Sequence, residues 1–290
     1  MIHTGAINTI ANEINVINIQ TIITMISNKK ITENNKKQKQ KTRYNWKTKE
    51  ILKILEMPLL DLLHRARNVH KDHHKQDSIQ RATLLSVKTG GCPEDCAYCP
   101  QSAHYETEVK KEKKLNIETV VRVAKSAKSN GASRFCMGAA WRSVKDGPEF
   151  DSIITMVRRV KALGMETCVT LGMLNKQQAK RLANAGLTAY NHNIDTSPDF
   201  YKKIITTRGF KDRLETLRHV QKAGIAVCSG GIIGMGETRK DRCEMLKVLA
   251  NTDPHPESVP INVLVKALSL IHISEPTRRT PISYAVFCLK

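Results

Sequence analysis

Residues 134–171 read RFCMGAAWRSVKDGPEFDSIITMVRRVKALGMETCVTL, and this stretch decides the fold. Its ends, 134–138 and 166–171, are short runs of strand-forming residues, and between them 149–163 is an amphipathic helix. Strand, helix, strand in so few residues is the repeating unit of a parallel sheet. The rhythm extends outward in both directions. Before it come a strand at 84–88 and a helix at 117–129. After it come a helix at 176–184, a strand at 189–194, a helix at 210–222, a strand at 225–230, a helix at 239–250 and a strand at 259–265. Gly131, Gly164, Gly186 and Gly224 stand where four helices must end before the next strand. Six strands alternating with helices predict an α/β fold of TIM-type (β/α) barrel architecture, with about six of the usual eight units, spanning 84–267. Chemistry is then expected at the carboxyl ends of the strands.

The flanks differ in character. Ile51, Leu52, Ile54 and Leu55, then Leu59, Leu60, Leu62 and Leu63, recur at helical spacing around Pro58, so 46–83 is expected to form an N-terminal helical cap with order beginning near Trp46. His70, His73 and His74 share a helix face, but no nearby acid or cysteine completes a metal-ligand set, and an exposed polar helix end is the reading. Residues 1–45 are low in complexity and are expected to be disordered or not native; no function is assigned to them.

The 290 residues carry a formal charge of +20, which raises nucleic acid or an anionic membrane as partners. Much of the excess sits in a Lys-, Asn- and Gln-rich run at 29–49 and on amphipathic helices, where a solvated face explains it, so neither partner is expected. No stretch approaches the ~18 apolar residues of a membrane span, and no signal-peptide pattern opens the chain. Eight cysteines without a secretory signal point to a reducing, cytoplasmic location and to metal binding instead of disulfides.

Directly after the first strand, residues 90–100 read GGCPEDCAYCP, placing Cys92, Cys96 and Cys99 in one loop as C-x3-C-x2-C. Three thiolates suit iron or zinc, yet a structural zinc site wants four ligands and no fourth lies at suitable spacing. A [4Fe–4S] cluster on three cysteines leaves one iron open. Three further cysteines, Cys136, Cys168 and Cys228, fall one per strand. Spacing alone leaves open whether they are small buried hydrophobes or converge in the barrel to hold a second cluster. On the strand at 189–194 and just beyond it, alternation puts Asn191, Asn193 and Asp195 on one face, where a barrel interior would otherwise want Val or Leu. They either satisfy one another or hydrogen-bond a polar ligand. The glycine-rich run 230–237 lacks the lysine of a phosphate loop, and its glycines let backbone approach a ligand. Cys243, on an outer helix, is read as structural.

The cysteine loop, with Tyr98 before its last cysteine, resembles that of the radical S-adenosylmethionine superfamily, and the segments around Cys136 and Cys228 resemble those of the biotin synthases within it. The similarity runs over roughly 58–266. It implies a [4Fe–4S] cluster on Cys92, Cys96 and Cys99, an auxiliary [2Fe–2S] cluster on Cys136, Cys168 and Cys228, and S-adenosylmethionine beside Tyr98, Asn193, Asp195, Arg208 and Ile232. Within that set it gives the ribose to Asp195 and the adenine to Ile232. It implies dethiobiotin on Asn191, Asn193 and Asn262, and conversion of dethiobiotin to biotin by radical sulfur insertion. A flavodoxin-like reductant and a homodimer are implied as partners.

After residue 266 the resemblance breaks. The family pattern implies two further strands and an arginine ligand for the auxiliary cluster. Residues 282–289 instead read as the translation of a sequencing-library adapter, ATC TCG TAT GCC GTC TTC TGC TTG. The expectation is that 268–290, Cys288 included, is a non-native tail.

Overall fold

A computed structural model describes residues 42–74 and 79–264. The tail at 268–290 and most of the 1–45 segment lie outside the described residues. The described residues begin at 42, four before Trp46. Arg43 lays its guanidinium 4.2 Å from the Trp46 ring and pairs with Glu50 at 2.6 Å, while Tyr44 packs on His255 with ring centroids 4.5 Å apart. These two contacts, Arg43 on Trp46 and Tyr44 on His255, let residues 42–45 dock.

Two helices follow, α1 (Thr48–Leu55) and α2 (Leu59–His73), and β1 (Ala82–Lys88) starts two residues sooner than expected. The alternation then continues through α3 (Ile117–Ser129), β2 (Arg134–Ala139), α4 (Pro148–Ala162), β3 (Glu166–Thr170), α5 (Lys176–Asn184) and β4 (Ala189–Asn191). Next come α6 (Pro198–Tyr201), α7 (Phe210–Lys222), β5 (Ala226–Cys228), β6 (Gly231–Ile233), α8 (Arg239–Ala250) and β7 (Ile261–Val263). α2 ends at stacked His70 and His74 rings, 5.4 Å apart. Gly131, Gly164, Gly186 and Gly224 all take positive φ after their helices.

β1 to β5 form one parallel sheet in sequence order, and β6 pairs parallel with β7. Of the expected strand at 225–230 only 226–228 is in the ladder, as β5, and β6 at 231–233 is a further short strand beyond the expected end. Between the two, a Cβ on Gly230 would sit 1.8 Å from the Pro260 carbonyl oxygen, so the backbones approach closely enough to exclude any side chain. The arc nevertheless continues across the break. The Ser229 amide donates to Ser258 O at 3.0 Å, Gly231 to Pro260 O at 3.0 Å and Ile232 to Asp195 O at 2.7 Å. The architecture is an open arc of the TIM-barrel type, helices outside and strand carboxyl ends gathered at one rim.

Packing follows the hydrophobic pattern. α4 buries Phe150, Ile153, Ile154, Met156, Val157 and Val160 against the sheet. α1 buries Ile51 and Ile54 and is tied to α8, where Asn251 accepts the Trp46 amide at 2.7 Å and Thr48 donates to Glu244 at 2.5 Å. The opposite rim is closed by charge, because Arg134, first residue of β2, pairs with Glu166, first residue of β3, at 2.7 Å. Cys243 is fully buried in α8, as its structural reading requires.

Candidate functional site

The strand registers arrange the interior in layers. Leu84, Cys136 and Cys168 are successive partners across β1, β2 and β3, and Cys168 is opposite Ala189. Two residues further along each strand, roughly 7 Å toward the carboxyl rim, Ser86 pairs with Gly138, Gly138 with Thr170, and Asn191 with Cys228. The side chains of this upper layer touch: Thr170 donates to Asn191 Oδ1 at 3.2 Å, and Asn191 Nδ2 donates to Cys228 Sγ at 3.2 Å. Asn193 and Asp195 continue the same inward file. Gly230 donates its amide to Asn193 Oδ1 at 3.1 Å.

Above this file lies a cavity of about 330 Å³. Its lining includes Cys92, Cys96, Tyr98 and Cys99 from the loop, Asn191, Asn193 and Asp195 from the polar file, and Arg208 and Ile232. Nine residues proposed from separate parts of the sequence therefore meet in one space. Cys136, Cys168, Cys228 and Asn262 do not line it. The first two lie a layer deeper, Cys228 adjoins it through Asn191, and Asn262 stands in register with Ile232 on the neighbouring strand.

The cysteine loop is folded by its own hydrogen bonds. The Cys92 amide donates to Gln101 O at 2.8 Å, Ala103 returns one to Cys92 O at 2.7 Å, and the Cys99 amide donates to Cys96 O at 2.9 Å. Among the described residues none of the seven cysteines is in a disulfide, and no three Cys, His, Asp or Glu side chains grip a single metal ion. Burial pushes the Cys96 thiol up and the Cys99 thiol up to about 11. Such thiols ionise readily only when a cation compensates the charge, and iron supplies one. The Arg208 Nε and Nη1 atoms and His192 Nε2 border this cavity buried and without a hydrogen-bond partner. Buried thiols and the unpartnered Arg208 Nη1 facing one space fit an iron–sulfur cluster with an anionic cofactor beside it.

The strand cysteines behave differently. The Cys168 thiol donates to Cys136, pulling the Cys136 thiol below its ordinary value, while the same bond and burial push Cys168 well up. Cys228 lies near enough to raise Cys168 further. Cys136 and Cys168 thus adjoin across β2 and β3, with Cys228 one layer up beside Asn191.

The Asp195 carboxylate is ion-paired with Arg213, both side chains being at most 5% exposed. Arg213 also donates to Asn193 O at 2.9 Å and to the Tyr201 hydroxyl at 2.9 Å. Asp195 sits at φ +68°, a left-handed conformation that Asp tolerates better than most residues. Burial, and next the Asp195 charge, keep the Tyr98 phenol protonated. Burial, with Arg213 and Arg208 nearby, keeps His192 neutral. Asp195 thus both lines the cavity and belongs to an internal network.

Sequence reasoning missed Arg213 and Glu94. Arg213 was hidden because 210–222 reads as an outer amphipathic helix. The available signal was its place on the apolar stripe with Phe210, Leu217 and Val220, where an arginine needs a buried partner. Glu94, 2% exposed inside the cysteine loop, could have been noticed only as an acid between metal-binding thiols.

The Radical SAM superfamily model matches residues 86–249. A biotin synthase of Methylorubrum populi is 62% identical over 228 residues, covering 78% of this chain and 67% of its own length. Those of Ruegeria pomeroyi and Synechococcus elongatus are 62% and 61% identical, each over 77% of this chain and 70% of their own. Among solved structures, methylornithine synthase superposes with a TM-score of 0.63 at 17% identity, covering 77% of this chain and 65% of that one. The [FeFe]-hydrogenase maturase HydG gives 0.63 at 18% identity, covering 89% and 56%. These two carry the fold, and the identity to the curated relatives carries the rest: the chain belongs to the biotin synthase family of the radical S-adenosylmethionine superfamily.

Proposed function

We propose that this chain is built for radical sulfur insertion into dethiobiotin, giving biotin, and that the polar file Asn191–Asn193–Asp195 is where the two small molecules meet. The observation that carries the reading is the layering. One set of thiols stands at the rim, a second set lies deeper on the strands, and amides and a carboxylate fill the interval.

Cys92, Cys96 and Cys99 would hold a [4Fe–4S] cluster and S-adenosylmethionine, which together supply a reducing electron and a carbon radical able to abstract hydrogen from an unactivated C–H bond. Cys136, Cys168 and Cys228 would hold a [2Fe–2S] cluster that supplies sulfur. The chain's own residues position and shield. Asn191 and Asn193 offer amide donors and acceptors to a cyclic urea, with Asn262 one strand away. Asp195 can take a ribose diol only while Arg213 keeps the carboxylate in place, so Arg213 belongs to the ribose subsite. Arg208 presents an unpartnered Nη1 to an anionic group such as a carboxylate. Ala139, Ala140, Trp141 and Ile232 supply apolar wall that excludes water. A flavodoxin-like electron donor, a homodimer and a cytoplasmic location belong to the same proposal. Nucleic acid and membrane remain outside it, and no described helix is long and apolar enough to cross a membrane.

The test is anaerobic reconstitution of the full chain with iron and sulfide, followed by S-adenosylmethionine, dethiobiotin and a reductant. Iron with acid-labile sulfide and formation of 5′-deoxyadenosine support the reading. A colourless protein that binds zinc and releases RNA with rising salt would overturn it.

A further inference from the structure

The turn between the first two loop cysteines is acidic, and its two carboxylates do different work. Asp95 accepts the backbone amides of Thr206 at 2.9 Å and Thr207 at 3.1 Å, together with the Thr206 hydroxyl. With the Ala97 amide on Ile204 O at 3.0 Å, this fastens the cysteine loop to residues 204–207. Glu94 points inward. It accepts the Thr207 hydroxyl and faces two guanidiniums, Arg142 Nε at 3.4 Å and Arg208 Nε at 3.7 Å. The Arg208 side chain is 6% exposed, and its Nη2 lies 3.9 Å from Cys96 Sγ. A cation buried with one partner on each side has little freedom to move, and here the partners are a carboxylate and a cysteine sulfur.

We propose that Arg208, held by Glu94, sets the reduction potential of the [4Fe–4S] cluster on Cys92, Cys96 and Cys99. This rests on the proposed function and deepens it. An N–H directed at a ligating sulfur, with a full positive charge behind it, stabilises the reduced and more negative cluster and raises its potential. Glu94 acts through Arg208 and is a positioning residue. The resemblance gives Arg208 to the S-adenosylmethionine side, and its unpartnered Nη1 leaves room for that contact as well.

The experiment is a redox titration of the full chain, reconstituted anaerobically with ferrous iron and sulfide and without S-adenosylmethionine. Wild type is compared with Arg208→Gln, Arg208→Lys, Glu94→Gln and the Glu94→Gln/Arg208→Gln pair, with iron and sulfide content measured on each. Arg208→Gln should shift the midpoint to a more negative value at unchanged iron content. Arg208→Lys, which keeps the charge but loses the planar fork, should fall between, and it carries the test if the Gln variant takes up no iron. The Gln shift should shrink by at least half in the Glu94→Gln background. An unmoved midpoint in cluster-loaded Arg208 variants overturns the proposal, and equal shifts in both backgrounds remove Glu94 from it. A wild-type chain that takes up no iron and sulfide rejects instead the function on which it rests.

Discussion

The two sets of thiols are held by opposite means. Around the loop cysteines the fixing is ionic: Glu94 faces Arg142 and Arg208, Asp95 gathers residues 206–207, and Asp195 is locked to Arg213. Around the strand cysteines it is the backbone ladder plus neutral contacts, with Cys136 and Cys168 cross-strand partners and Asn191 on Cys228. A residue in a ladder has its direction set by pleat and register, so it needs no side-chain clasp. A loop has no such frame and must be fastened by its own side chains, which here means buried charges. The rim is therefore the part of the site where single substitutions should do most damage to stability, and the deeper layer the part where they should act on chemistry alone.

Alanine at each thiol probes this contrast most strongly. Cys96→Ala, like Cys92→Ala and Cys99→Ala, should abolish formation of 5′-deoxyadenosine, because two thiolates cannot hold the first cluster in reactive form. Chromatography of the nucleoside product reads this directly, and near-normal yield in Cys96→Ala would remove the loop from the chemistry. In a chain carrying a family-like C-terminal part in place of 268–290, Cys168→Ala should leave that yield detectable while biotin disappears, and should cost only about 1 kcal/mol in denaturant unfolding, the value of a small buried group. A Cys168→Ala protein that still makes biotin would strip the deeper thiols of their proposed role.

Arg213→Met tests the ionic half of the contrast. It leaves Asp195 buried without its partner, an expected loss of about 3–5 kcal/mol. Adding Asp195→Asn should recover much of that loss, since no charge is then stranded. Urea midpoints for the two single variants and the double variant check this, and additive losses would show that the pair is not coupled.

How much of this was open to sequence reading follows the same division. The alternation of strand and helix is a local, periodic signal, and it placed six strands and the helices between them in chain order. It stopped at Gly230 and missed β6 at 231–233, which is defined by its pairing with β7, thirty residues on, a contact no local window contains. Site residues with distinctive local spelling, such as Cys92, Cys96, Cys99, Asn191 and Asn193, were legible and meet in one cavity. Arg213 and Glu94 were not, because their meaning comes only from the partner each finds across the barrel, Asp195 for one and Arg208 for the other. The docking of Arg43 and Tyr44 was likewise set by distant contacts, among them Tyr44 on His255.

The smallest effect is expected away from both sets of thiols, at the start of α8, and it calibrates the others. Thr238 accepts the Asp241 amide at 3.2 Å, and Asp241 accepts the Thr238 amide at 2.9 Å, a reciprocal cap on orphan donors. Ser197, two residues beyond Asp195, also donates to Asp241 at 2.8 Å, so the cap steadies the end of the polar file without touching the cavity. Thr238→Ala should cost about 1 kcal/mol, well below Arg213→Met, with product formation retained. Burial alone would raise the Asp241 carboxyl, but hydrogen bonds from Thr238 and Ser197 outweigh it and hold the group below its ordinary value of 3.8. A carboxyl lowered in the fold stabilises above its unfolded value and loses that contribution as pH falls through the folded one. The stability difference between wild type and Asp241→Asn should therefore be full at pH 7 and should shrink once the pH drops below about 4. Urea unfolding at a series of pH values measures it, and a difference that stays constant down to pH 3 would mean that the cap works by shape and not by charge.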